Sequence, residues 1–347
     1  MDHAENNILA QARMHHAYLL GLQLMVASNK EPKLVGEWMH KLFRRQHLEK
    51  FLSSFEKLGL QDLPHAVACA QYHVLSNSIG GVPVEYMAES DKKAWVRFRY
   101  PRWMYQGATI CGVPLEVSRG FLSGWYAHNG ISLNNSRLGF VCVSEDMTGE
   151  FGLCGYFKEY DFDLNDEQRL QFAKGEIPPV YKEEEQPQLV SNQWSELRLA
   201  KANRNYAMDY IRNGIVELAT VMGEDETKAL AGKAARLIGL QYMAETRELI
   251  KEEDGDLQSA ANYLSKMFAG LGDRSDIHVN VEKTEIEIVQ YDRRIVRGFE
   301  GAEEEKALIL FCWNQLWQGA LSSYRQIKTT SCTVESDRTI WRVSNLS

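Results

Sequence analysis

Two stretches of this chain, set roughly 190 residues apart, run through the same order of hydrophobic patterns. In the first, residues 6–27 carry apolar side chains at helical spacing (Ile8, Leu9, Ala12, Leu19, Leu20, Leu22). Residues 33–58 repeat that spacing (Leu34, Val35, Trp38, Leu42, Phe43), and LPHAVACAQYHVLSNSIGG forms a third helical segment closed by Gly80 and Gly81. The pattern then alternates: PVEYMAES and AWVRFRY read as a hairpin, PLEVSRGFLSGWYAHNGI as a helix, and LGFVCVSE with FGLCGYF as a second hairpin around DMTGE. From residue 194 the order returns. Three helical segments, the last ending on a glycine, lead into a hairpin turning near Glu282–Lys283, then a helix over AEEEKALILFCWNQLWQGALSS and a final hairpin. Trp125 falls on Trp317, VRFRYPR on EIVQYDR, DLPHAVACAQYHVL on DLQSAANYLSKMF, and Cys142 and Glu145 on Cys332 and Glu335.

This order predicts an α+β fold built from two tandem copies of one module: three helices followed by β-β-α-β-β, with helices packed on antiparallel sheets. The modules are expected at residues 1–158 and 194–347. Residues 159–193 then form an acidic connector holding three of the eight prolines. A four-stranded antiparallel sheet covers one face with helices and leaves the other for a ligand or partner. Two copies in one chain imply either a monomer with an internal pseudo-twofold or a homodimer.

At 347 residues, 44% hydrophobic and 25% charged, the chain has ordinary globular composition, long enough for two domains. A net charge of −8 argues against coating nucleic acid. No apolar run approaches the ~20 residues that span a bilayer, so no membrane partner is expected. The N-terminal MDHAENNILAQARMHH lacks the layout of a secretory signal. The six cysteines are scattered without a CxxC pair, which predicts reduced thiols in a cytoplasmic chain. There is no GxGxxG after a strand, no P-loop, no HExxH and no GxSxG, so nucleotide, dinucleotide and serine-hydrolase chemistry have no support.

Candidate chemistry concentrates in the first module. RYPRWMYQGATICGVP places Tyr100, Arg102, Trp103, Tyr105 and Cys111 between a strand and a helix. There Arg102 suits a carboxylate and the aromatics an apolar or planar ligand. His128, at the end of the helix carrying Trp125, suits a general base, and Cys111 a nucleophile if a cation stabilises its thiolate. Arg119, Trp125 and Asn129 complete the expected ligand-binding set, and Glu116 is spaced to pair with Arg119. His65, Cys69 and His73 share one helical face, read chiefly as core. His15 and His16 point in different directions, and one of them is a candidate to face a cavity. Eight of the nine histidines precede residue 129, so the second module reads as the degenerate half.

The segment GFLSGWYAHNG…LGFVCVSEDMTGEFGLCGYF resembles the four-vinyl-reductase family, and WQGALSSYRQIKTTSCTVESDRTIWRV resembles the related domain named for L-2-amino-thiazoline-4-carboxylate hydrolase. The resemblance spans about 60–80 residues of each copy. It implies helices on an antiparallel sheet and small-molecule ligands, since such members include sensing domains of aromatic-responsive regulators and an enzyme opening a cyclic C–N compound. The family's metal site uses clustered cysteines with a glutamate around the last hairpin. Cys142, Glu145 and Cys154 occupy that region here with different spacing, and the second copy keeps only Cys332 and Glu335. Three candidate ligands fall short of the roughly four that structural zinc needs, so no cofactor is expected. Two functions follow as expectations. The first is an enzyme, a hydrolase or lyase, acting on a partly apolar or cyclic acid in the first module. The second is a non-catalytic protein binding an aromatic ligand.

Overall fold

In the computed structural model, which describes residues 3–99, 106–189 and 193–346, most of the helical and alternating segments fall where their periodicities place them. In chain order these are α1 (His3–Ala27), α2 (Pro32–Lys57), α3 (His65–Ile79), β1 (Val84–Ser90), β2 (Lys93–Phe98), α4 (Leu115–Gly124), α5 (Asn129–Ser132), β3 (Leu138–Ser144), β4 (Cys154–Glu159) and β5 (Leu170–Phe172). They continue as α6 (Glu196–Met222), α7 (Glu224–Leu249), α8 (Leu257–Leu271), β6 (Arg274–Val279), β7 (Glu285–Tyr291), α9 (Glu303–Leu321), β8 (Ile327–Val334) and β9 (Arg338–Asn345). The chain is α+β and divides into two units: Ala27–Leu199, and Met1–Val26 together with Ala200–Ser347.

The unit of residues 27–199 is built on a sheet of order β1-β2-β4-β3-β5. Its first four strands pair antiparallel, and β5 joins β3 in parallel. Helix α3 lies across β1, β2 and β4. On β4, Phe157 faces this helix and stacks on His73 with ring centroids 5.4 Å apart. Alternation sends its neighbour Tyr156 to the opposite face, where Met87, Trp95, Val141 and Val143 form a second buried cluster.

The expected solvent-facing connector is therefore corrected in part. Residues 159–193 supply β5, pack Ala173 against this second cluster and accept the Tyr156 hydroxyl on Glu176 at 2.9 Å. They end with the Gln186 amide on the β1 edge, where Oε1 accepts from Tyr86 N and Nε2 donates to Tyr86 O. A single side-chain amide thus imitates a strand neighbour and covers part of an exposed edge.

Helices α2 and α4 touch through glycine. Gly120 faces Met39 and the Gly36 carbonyl, and a Cβ there would sit 2.6–2.7 Å from them. A Cβ on Gly124 would overlap the His40 carbonyl oxygen. The two backbones therefore run closer than side chains of ordinary size permit. Sequence periodicity predicts one helix from Pro114 to Ile131. Instead α4 stops at Gly124, and the chain continues as a 3₁₀ turn (Tyr126–His128) and the short α5.

In the other unit the sheet order is β6-β7-β9-β8, entirely antiparallel, with α8 across β6, β7 and β9. Asp256 caps α8 by accepting from Ser259 N, and Gly272 at φ +95° ends it in the left-handed conformation that glycine adopts without strain. Here too two helices meet through glycine: Gly239 of α7 lies against the Leu316 carbonyl and Gly319 of α9 against the Arg236 carbonyl.

Helix α1 departs from the expected boundary at 158. Its partners lie among residues 203–313: His16 bonds Asn203, the Tyr18 hydroxyl donates to Ala231 O, Arg13 pairs with Glu245, and His15 accepts from the Trp313 indole. Helical spacing identifies an apolar face without specifying which sheet that face covers.

A methyl group at Gly124 must force α2 and α4 apart. Gly124→Ala is expected to lower unfolding free energy by about 1–3 kcal/mol. Gly232→Ala, whose Cβ would make ordinary contact at 3.4 Å, is expected to be neutral or stabilising by up to about 1 kcal/mol. Chemical denaturation of both variants reads the contrast, and equal effects would contradict the close contact.

Candidate functional site

Residues 40, 44 and 47 of α2 are spaced i, i+4 and i+7, so His40, Arg44 and His47 share one face. The glycine contact sets that face beside the end of α4. His40 Nδ1 shares a 2.9 Å hydrogen bond with Ser123 Oγ, and its ring lies 6.3 Å from that of His128. His47 stands 6.3 Å from His128 and edge-on to Trp125 at 5.6 Å. Arg44 Nη1 donates to His47 Nδ1 at 2.9 Å. Arg44 is half-buried and has no carboxylate partner among the described residues.

The hydrogen bonds assign the protons. A guanidinium only donates, so His47 Nδ1 accepts and the ring carries its hydrogen on Nε2. Trp125 Nε1 is buried without a partner among the described residues, while Asn129 bears on His47 as a side-chain hydrogen-bond partner and the Ser123 backbone on His128. Burial, reinforced by the Arg44 charge, pulls His47 down to about 3. Burial, then Arg44, then His40 pull His128 down to about 4. His40 is lowered by the same causes, against the opposing pull of Glu37. The three imidazoles are therefore neutral at pH 7, and Arg44 is the cation that acts on all three. A neutral imidazole accepts a proton, and a guanidinium without a counter-charge holds a carboxylate; both abilities meet here.

Two of the expected ligand-binding residues, Trp125 and Asn129, and one expected catalytic residue, His128, fall within this cluster. Asn129 is fully buried and donates to His73 Nε2 at 2.9 Å. His73 itself is sandwiched between Tyr126, at 3.8 Å, and Phe157, and is a core residue. Cys69 is buried, which raises its thiol, and His65 bonds Asn135. Other candidates lie elsewhere. Cys111 is exposed at the end of a 3₁₀ turn, Gly107–Cys111, and no contact of the cluster reaches it among the described residues. Arg119 is held by Glu145 through two hydrogen bonds of 2.8 and 3.0 Å, so its charge is compensated, and its expected partner Glu116 is not the one it takes. Tyr100, Arg102, Trp103 and Tyr105 lie outside the described residues. His40, Arg44 and His47 were not singled out by the sequence reading, although their one-face spacing was the available signal.

The region that corresponds to the resembled family's metal site is organised by ion pairs. Glu145, almost completely buried, takes Arg119 and approaches Lys174, while Cys142 points its thiol at Ser144 O. Glu335 pairs with Arg338. No group of three or more His, Cys, Asp or Glu side chains among the described residues is arranged to hold a metal.

In the other unit, His15 is buried and accepts from Trp313 Nε1 at 2.8 Å; burial lowers it to about 3. The same unit carries a cleft of about 480 Å³ lined by Arg236, Gln318, Ser322, Arg325, Lys328 and Ser331, among others. This cleft lies in the half that reads from sequence as degenerate.

No protein-family profile matches the chain, and no curated protein matches it. Among solved structures, it is similar to the trafficking protein particle complex subunit 3 from Naegleria fowleri covalently bound to palmitic acid, at 15% identity and a TM-score of 0.34. That likeness covers 41% of this chain and 97% of the other. No helix among the described residues is long and apolar enough to cross a membrane.

Histidines held neutral in the folded state make unfolding take up protons. For His47 and His128 the folded values of about 3 and 4 lie below the ordinary 6.5. Their contribution is complete above about pH 6.5 and is lost as pH falls toward 4. Urea midpoints measured from pH 7.5 to 4.5 should fall with acidification. The slope should be shallower in His47→Gln, and an unchanged slope would contradict the assignment.

Proposed function

We propose that the unit of residues 27–199 holds a small, partly apolar or cyclic carboxylic acid at the His40–Arg44–His47–His128 cluster, with Trp125 and Asn129 beside it. One observation carries this reading: Arg44 is a partly desolvated cation with no counter-charge among the described residues, set among neutral imidazoles. Burying a charge without a partner is costly, and a ligand carboxylate supplies the compensation. The unpartnered Trp125 N–H adds a polar donor within the aromatic surroundings of the cluster. The resemblance of GFLSGW and the following hairpin to the four-vinyl-reductase family supports a small-molecule ligand. The parallel strand orders of the two sheets, and α3 and α8 at 15 residues each, support descent by tandem duplication. The six cysteines are unpaired, which fits a reducing, cytoplasmic setting.

Binding without turnover is the function this geometry supports best, because the expected nucleophile Cys111 is exposed and makes no contact with the cluster. A second reading, a hydrolase or lyase, draws on the neutral imidazole of His128 as a base.

A thermal-shift screen of aromatic and heterocyclic carboxylates, followed by calorimetry on the hits, tests the site. A hit is expected to stabilise the protein and to bind about tenfold or more weakly to Arg44→Gln. Mass spectrometry of the same mixtures separates the two readings: unconverted ligand supports binding, and conversion abolished by His128→Gln supports the enzyme. A panel without hits, or one indifferent to Arg44→Gln, would remove the proposal.

A further inference from the structure

The cleft in the unit of residues 1–26 and 200–347 is the second place where cations stand without counter-charges. Arg236 projects from α7, Arg325 precedes β8 and Lys328 lies on it. No aspartate or glutamate lines the cleft, and none of the three cations has a carboxylate within ion-pair distance among the described residues. This is notable in a chain whose acidic residues outnumber its basic ones, 47 to 39. Neutral acceptors hold the Arg236 guanidinium: Gln318 Oε1 at 3.1 Å, Gln315 Oε1 at 3.5 Å and Ser322 Oγ at 3.4 Å. They fix its direction without neutralising it, so its charge stays available to a ligand. Ser331 Oγ, in the same lining, is buried and has no partner among the described residues. Cys332 beside it is kept a neutral thiol, pushed up to about 12 by burial, and adds no repulsion to an anion.

From these residues we infer that the cleft is a binding site for a soluble small molecule carrying a phosphate group. Three cations and no acid suit a dianion better than a monoanion, because each further positive group adds attraction only where negative charge remains to meet it. Strand β8 is the edge of its sheet, and the bulge between Thr329 and Ser331 interrupts the ladder where the lining hydroxyls stand. The volume matches a small molecule rather than a macromolecular surface. This site is separate from the Arg44 cluster and does not depend on its function.

Calorimetry on the full chain with glycerol 3-phosphate, inorganic phosphate and acetate tests the inference. In Arg44→Gln protein, which lacks the carboxylate site proposed above, glycerol 3-phosphate and phosphate are expected to bind saturably, more weakly at higher ionic strength, and acetate not to bind. The exposed double substitution Arg325→Gln/Lys328→Gln should weaken phosphate binding about tenfold or more, and Arg44→Gln should leave it unchanged. Circular dichroism confirms that the double variant is folded. The inference is overturned by any of four results: no saturation up to about 10 mM, equal binding of acetate to the Arg44→Gln protein, binding unaffected by the double substitution, or binding seen only to phosphatidate-containing vesicles.

Discussion

The contact between α2 and α4 is the constraint on which the candidate site rests. At Gly120 and Gly124 the backbone of α4 comes against the backbone of α2 at Gly36, His40 and Arg44, with Met39, Phe43 and Glu116 packed alongside, so α4 lies on the ridge of α2 from Gly36 to Arg44. With that spacing, the end of α4 meets His40, Arg44 and His47, and the break after Gly124 turns Trp125, His128 and Asn129 toward them. A helix carrying ordinary side chains at 120 and 124 would ride farther out and leave Arg44 and the imidazoles in water. The packing of this small-residue interface therefore sets the solvation of the histidines and the arginine that stand in and beside it.

That solvation gives the cluster its character. In water, histidine titrates near 6.5 and an arginine beside it would be screened. Here burial acts first and Arg44 second, so the imidazoles remain neutral, with Lys41 adding to Arg44 at His40 and Arg169 adding to it at His128. A protonated His47 would lose the hydrogen bond that its Nδ1 accepts from Arg44, which couples its neutrality to the position of the guanidinium. The same partial desolvation that costs stability in the empty site is what makes a carboxylate a favourable occupant.

Much of the fold was legible in the sequence. Helical and alternating periods located the helices and both hairpin pairs, and Gly80–Gly81, Gly149 and Gly272 marked stops that the backbone takes as turns. Period and spacing do not encode which neighbour an apolar face meets. Hence α1, regular as it is, belongs with residues 200–347, and β5 was concealed in a polar connector whose pairing depends on three residues, Leu170–Phe172. The site was legible only in part. His128, Trp125 and Asn129 stand in a recognisable motif, whereas His40, Arg44 and His47 look like one polar stripe on a long helix until α4 is placed against it. Arg119 illustrates the converse: its charge and position suited a ligand, but the buried Glu145, 26 residues onward, takes it.

The most direct measurement is the titration of the histidine rings by NMR in the Gly124→Ala protein, under conditions where it stays folded. The account predicts that His47 and His128 move up from about 3 and 4 toward the ordinary value as α4 is pushed off α2. His15, buried against Trp313 in the other unit, should stay near 3. His47 and His128 titrating as in the parent protein would show that the glycine contact does not govern the site.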